Sequence, residues 1–212
     1  GAVVLTAATA NVGRVTRIQN QQQAYFAVRS AAELLRDEIK GTSFHRRTET
    51  WDKKPAGGTG PGLVNNEPDF QNSAQIASLM TQIKQDANLV FEETKAETHE
   101  VKINENGTDP QLPEVTVTWS MKPDYTLIFF IEIPELNSKY PYSMTLTIQP
   151  TVKPNDGTYV VDWTRTVSGQ DSEGNPTSKT YHYPGTIAYK ERWVTWQTGT
   201  VTKGGRADCF VN

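Results

Sequence analysis

The first proline of this 212-residue chain is Pro55, and the only glycine between residues 2 and 40 is Gly13. Helix interiors exclude both residue types, Gly for its backbone entropy and Pro for its missing N–H and ring clash. A stretch this long without them can be one helix, and its apolar spacing predicts one over residues 2–40. Ala24, Val28, Ala31, Leu35 and Ile39 recur every three or four residues and stack on one stripe. Arg29, Glu33, Arg36, Asp37 and Lys40 fall largely off that stripe, as an amphipathic helix requires. Gly41 supplies the natural stop.

The opening run GAVVLTAATANVG has a different character. It is apolar or small all round, which suits lipid or a helix bundle better than one face of a protein core. A membrane-spanning helix needs about 20 apolar residues, so the run is expected to be the lower end of a longer apolar helix, a truncated membrane segment. No basic stretch precedes it and the helix continues past any cleavage point, so it does not read as a signal peptide.

Residues 42–72 are rich in Gly, Pro, Asn and charge and are expected to form a surface loop. GGTGPG within it lacks the Lys-Ser/Thr that a phosphate-cradling loop needs. A short helix is expected at about 73–86, capped by Ser73, with Ile76, Leu79, Met80 and Ile83 on its apolar face. From about residue 88 the period becomes two. VTVTWSM alternates, YTLIFFIEI is apolar on both faces as a central strand would be, and MTLTI alternates again. TYVVDWTRTV puts Tyr159, Val161, Trp163 and Val167 on one face, while TIAYKERWVTWQTGTV reads as an edge or half-exposed strand. Lys122-Pro123-Asp124, Asn155-Asp156-Gly157 and Glu173-Gly174-Asn175 are the turn signals between them.

Charge is uneven along the chain, whose net value is −3. Residues 1–54 carry nine Lys/Arg against five Asp/Glu, and residues 55–149 carry five against thirteen. The acidic middle argues against a nucleic-acid groove there, and no nucleic-acid partner is expected. Cys209 is the only cysteine, so no intrachain disulfide can form.

An apolar helix that runs without a break into QNQQQAYFAVRSAAELLRDEIKG resembles the start of type IV pilin-like proteins, in particular minor pilins and pseudopilins. Gln22, Gln23, Ala24, Tyr25, Phe26 and Ala27 carry the likeness. The cysteine pair that closes the C-terminal region of many pilins is missing. The resemblance implies a helix with two roles, its first half in the membrane and then the filament core, its second half against a C-terminal sheet. The helix-packing residues it implies are Val4, Ala8, Val12, Val15, Ala24, Tyr25, Val28, Ala31 and Leu35. Small residues such as Ala7, Ala8, Ala10 and Gly13 would let neighbouring helices approach closely.

Catalytic signals are weak. His45, His99 and His182 lack a second ligand at metal-binding spacing, so no metal or cofactor is expected. Cys209 has no nucleophile motif around it. Asp171–Asn175 and Asn104–Gly107 read as turns rather than calcium loops, and Asn106-Gly107-Thr108 fits the short glycosylation pattern. Glu92 and Glu93, taken as strand neighbours, would point to opposite faces and so fail as a glycosidase pair. Tyr189 and Trp193 are more suggestive, since they share a strand face and can form an aromatic platform for a sugar or a partner.

The expected fold is therefore α+β and pilin-like: a long N-terminal helix (1–41), a loop and short helix (42–87), and an antiparallel sheet (88–212) in one globular domain. The expected function is a non-enzymatic subunit of a bacterial surface filament, of the type IV pilus or secretion-pseudopilus kind. Its partners would be other pilin-like subunits through the helix and the membrane through the missing upstream segment. The alternative is a membrane-anchored extracellular adhesin or carbohydrate-binding domain.

Overall fold

The computed structural model describes residues 2–51, 76–103, 113–133 and 142–204, with the side chains of those from residue 21 onward except Trp51 and Trp163. Ser73, Asn104–Thr108 and Cys209 lie outside the described residues. In order, the elements are α1 (Ala2–Ile39), β1 (Ser43–Trp51), α2 (Ala77–Phe91), β2 (Thr98–Ile103), β3 (Val115–Met121), β4 (Leu127–Glu132), β5 (Ser143–Ile148), β6 (Pro150–Pro154), β7 (Gly157–Gln170), β8 (Pro176–Trp196) and β9 (Thr200–Lys203).

Antiparallel strands dominate this structure, in a five-stranded and a four-stranded sheet. That overturns the α+β, pilin-like architecture of one helix on one C-terminal sheet. Three local differences produce the change. The segment expected as loop from residue 42 begins with strand β1; strand structure after α2 starts at Thr98 rather than near residue 88; and β8, expected at an edge or half-exposed, lies between β1 and β6 with its last part half-exposed. The chain divides into two compact units, Gly1–Ser43 with Asp69–Val152 and Val194–Asn212, and Phe44–Pro68 with Lys153–Trp193.

The first unit holds the five-stranded sheet, in the order β2-β3-β4-β5-β9. β4 sits at its centre and is buried along its whole length, which is why its sequence is apolar at nearly every position. The register pairs Trp119 with Phe129, Phe129 with Leu146 and Leu146 with Val201, so one face carries a continuous apolar row across four strands. Residues Ala24, Ala27, Val28, Ala31, Ala32, Leu35 and Ile39 of α1 are buried, and its neighbours in the unit are β5, β4 and β3. Gly41 ends the helix region with a φ of +79°, and its N–H donates to the Trp196 carbonyl at 2.9 Å. The Trp196 indole N–H in turn donates to the Tyr125 carbonyl at 2.9 Å, which satisfies a fully buried donor.

Helix α2 buries Leu79, Met80, Ile83, Ala87 and Phe91 on one stripe. Its end corrects the reading of Glu92 and Glu93 as strand residues. Glu92 caps the helix, and Glu93 takes the left-handed conformation at φ +59° that a C-terminal turn needs. The Lys122-Pro123-Asp124 turn closes with the Tyr125 N–H on the Lys122 carbonyl at 2.9 Å and the Thr126 N–H on the Asp124 carboxylate at 2.9 Å.

The second unit is built from β1, β7 and most of β8. β7 and β8 pair without interruption from Gly157↔Tyr189 to Gln170↔Pro176. The turn joining them is held by the Asp171 carboxylate, which accepts from the backbone N–H groups of Glu173 and Asn175 at 2.9 and 2.8 Å; Gly174 has a φ of +84°. Among the described side chains, every one from 162 to 184 is exposed, so this part of the hairpin has solvent on both faces.

Candidate functional site

Side chains alternate across a strand, and residues directly opposite on an antiparallel pair share a face. On β8 that puts Tyr181, Tyr183, Tyr189, Glu191 and Trp193 on one side, with Tyr159, Val161, Arg165 and Val167 of β7 beside them. The other side of the hairpin carries Thr158, Asp162, Thr164, Thr166, Thr180 and His182. One surface is therefore aromatic and the other mainly polar, with Val160 exposed on it.

β1 completes the aromatic side. The imidazole of His45 stacks on Trp193 with ring centroids 3.5 Å apart and planes at 13°, and its Nε2 bonds the Glu191 carboxylate at 2.8 Å. The Asn155 amide donates to the other Glu191 oxygen at 2.6 Å. Two residues along β1, the Arg47 guanidinium lies 4.3 Å over the centre of the Tyr189 ring and donates to Glu49 at 2.7 Å. The Tyr159 hydroxyl donates to the same Glu49 oxygen at 3.1 Å. Gly157 lets the Tyr189 ring approach closely: a Cβ there would sit 2.7 Å from the Tyr189 hydroxyl, so the ring would have to shift. His45, Arg47 and Glu49 thus tie three aromatic rings to one charged strand.

The electrostatics follow from these contacts. The His45 hydrogen bond, with help from Asn155, holds the Glu191 carboxyl below the usual carboxylate range against the opposing effect of burial. Burial and the Glu49 hydrogen bond push the Tyr159 hydroxyl up. His45 Nδ1 and Glu49 Oε2 are buried with no hydrogen-bond partner among the described residues. Such groups are costly to leave bare.

The two aromatics expected as a platform, Tyr189 and Trp193, do lie in this cluster, but they are differently available. Arg47 covers one face of Tyr189, whereas Trp193 is 47% exposed beyond its contact with His45. Sequence reasoning missed Arg47 and Glu49, and weighed His45 only as a metal ligand. Their spacing of two was the available signal, masked by the polar composition of β1.

The other histidines also sit beside carboxylates. His99 bonds Asp86 at 3.0 Å and stacks on Trp119; burial raises the Asp86 carboxyl, against the lowering effect of His99. His182 bonds Asp162 at 2.9 Å on the exposed face of the hairpin. Among the described residues no three His, Cys, Asp or Glu converge as metal ligands would.

Of the expected helix-packing residues, Val4, Ala8, Val12 and Val15 belong to α1 with side chains outside the described set. Ala24, Val28, Ala31 and Leu35 are buried in the first unit's own core, and Tyr25 is half-buried. Phe26 is the large apolar side chain that the described part of α1 leaves in solvent, 57% exposed with its ring edge-on to Tyr25. No helix among the described residues is long and apolar enough to cross a membrane. The chain matches no protein-family model, no curated protein and no solved structure.

Proposed function

We propose that this protein is a structural subunit of a cell-surface filament of the type IV pilus or secretion-pseudopilus kind, assembled through α1. The observation that carries the reading is the two-sided character of that helix: one stripe is committed to the core of its own unit while Phe26 stands exposed on the other side. Its length supports the same view. Thirty-eight residues at 1.5 Å each make a helix of about 57 Å, whereas seven-residue β3 extends only about 24 Å. The first turns of α1 carry the apolar, small-residue sequence VVLTAATANVG. Apolar helix surface is stabilised by burial at about 25 cal/mol per Å², and equivalent helices of neighbouring subunits would supply that burial. The partners in this reading are related subunits, the role is assembly rather than catalysis, and the place is the outside of a bacterial cell.

Sedimentation of the purified chain tests the proposal. Self-association that rises with concentration is expected, weakened about tenfold by Phe26→Glu. In a Cys209→Ser background, Ala8→Cys should cross-link between chains while Thr166→Cys should not. A chain that stays monomeric at submillimolar concentration, and whose Ala8→Cys form yields no cross-linked dimer, would refute it.

A further inference from the structure

On the aromatic face of the β7–β8 hairpin, the described side chains between residues 162 and 184 are all exposed. Tyr181 and Tyr183 are 40% and 41% exposed, with ring centroids 6.5 Å apart and planes at 31°. The Lys179 ammonium lies 5.2 Å over the Tyr181 ring, and Arg165 stands directly opposite Tyr181 in the register. Val167 pairs with Lys179 on the same side and is itself exposed. From Gly157 to Gly169 and from Thr177 to Ile187, the residues of this face include those two cations and no carboxylate; Asp162 lies on the opposite, polar side. The carboxylates further along the same face, Glu49 and Glu191, are already bonded to Arg47, Tyr159, His45 and Asn155.

From this we infer that the Tyr181–Tyr183 face of the hairpin, with Lys179 and Arg165, binds an acidic polysaccharide of the polyuronate class. An antiparallel ribbon with solvent on both sides presents tyrosine rings at the two-residue spacing of the strand, where they can meet the apolar faces of sugar rings. The two cations complement the carboxylate that each uronate ring carries. Nucleic acid fits less well, because a phosphate backbone calls for a dense cationic track and this face has two positive groups. An acidic polypeptide would satisfy the cations but not the rings. The inference stands independently of the filament proposal, since it uses no residue of α1.

Affinity electrophoresis of the intact chain in gels containing sodium polygalacturonate tests it, with hydroxyethylcellulose, poly-glutamate and oligo-dT gels alongside. Retardation by polygalacturonate alone is expected, reduced at least about tenfold by Tyr181→Ala and by Lys179→Glu. Thr166→Ala and His182→Ala, on the polar face, should bind as the parent does. Far-UV circular dichroism checks that each variant keeps its strand signal, and the exposed Tyr181→Phe retains the ring if Tyr181→Ala disturbs the hairpin. No retardation by polygalacturonate, equal retardation by poly-glutamate or by oligo-dT, or undiminished binding by the Lys179→Glu and Tyr181→Ala chains overturns the inference.

Discussion

The five-stranded sheet and the β7–β8 hairpin are both antiparallel and both carry rows of aromatic and β-branched residues, yet they treat those rows in opposite ways. In the first unit Trp119, Phe129, Leu146 and Ile131 are fully enclosed. In the second, Tyr159, Tyr181, Tyr183 and Val167 remain in water. Alternation of apolar and polar residues therefore announces a strand with a distinguishable face, not what that face meets. The difference has an energetic side as well. A buried ring holds its unit together, whereas an exposed one adds little to folding and is available to a partner.

The largest expected effect comes from removing a ring on each side of this comparison. Trp119→Ala should lower unfolding free energy in urea by about 3–5 kcal/mol, through lost burial and the cavity left behind. Tyr183→Ala should change it by no more than about 0.5 kcal/mol. Equal losses at the two sites would show that the hairpin face is covered in solution and would erase the contrast.

Acid separates one carboxylate of each unit by sign. Glu191 has a lowered carboxyl in the folded state, so its contribution is present above the ordinary carboxylate value and is lost as pH falls through the folded one. Asp86 in the first unit is raised, so it contributes below the ordinary value, and that contribution disappears as pH rises through the folded one. Between about pH 5 and 3, the stability of the parent relative to Glu191→Gln should fall on acidification, while relative to Asp86→Asn it should rise. Denaturant titrations of the three chains across that range measure both slopes, and slopes of one sign would refute the assignment.

The smallest effect concerns the end of α2. Glu93 holds a φ of +59° that glycine adopts without steric cost, so Glu93→Gly should raise stability by about 0.5–1 kcal/mol. No comparable gain is expected from Gly174→Ala in the hairpin turn, where φ is +84°; that change should destabilise. A thermal melt of each chain decides.

Much of the first unit was legible because its residues obey burial. The α2 stripe, the alternation of β3 and the unbroken apolar run of β4 each state their environment directly. β1 was not legible, since among its described side chains SFHRRTETW buries one large apolar group, Phe44, and satisfies its other face through His45, Arg47 and Glu49. Pairing by charge and stacking leaves no hydrophobic period to read. Without β1, β8 passes for an edge strand and the second sheet disappears from the expectation. The same gap hid half of the site: Tyr189 and Trp193 were visible as aromatics on a strand, but the groups that orient them lie on the strand that polar composition disguised.

β9 returns to lie against β5 only after the whole hairpin has been made, about fifty residues later. During synthesis at about 5–20 residues per second, β5 waits several seconds with one backbone edge unclaimed. Met144, Leu146 and Ile148 on that strand are just the kind of side chains that recruit a stray neighbour in the interval. A nascent chain of this design has a built-in vulnerable interval, and mutations that slow the closing of the hairpin should lower the yield of folded protein before they lower its stability.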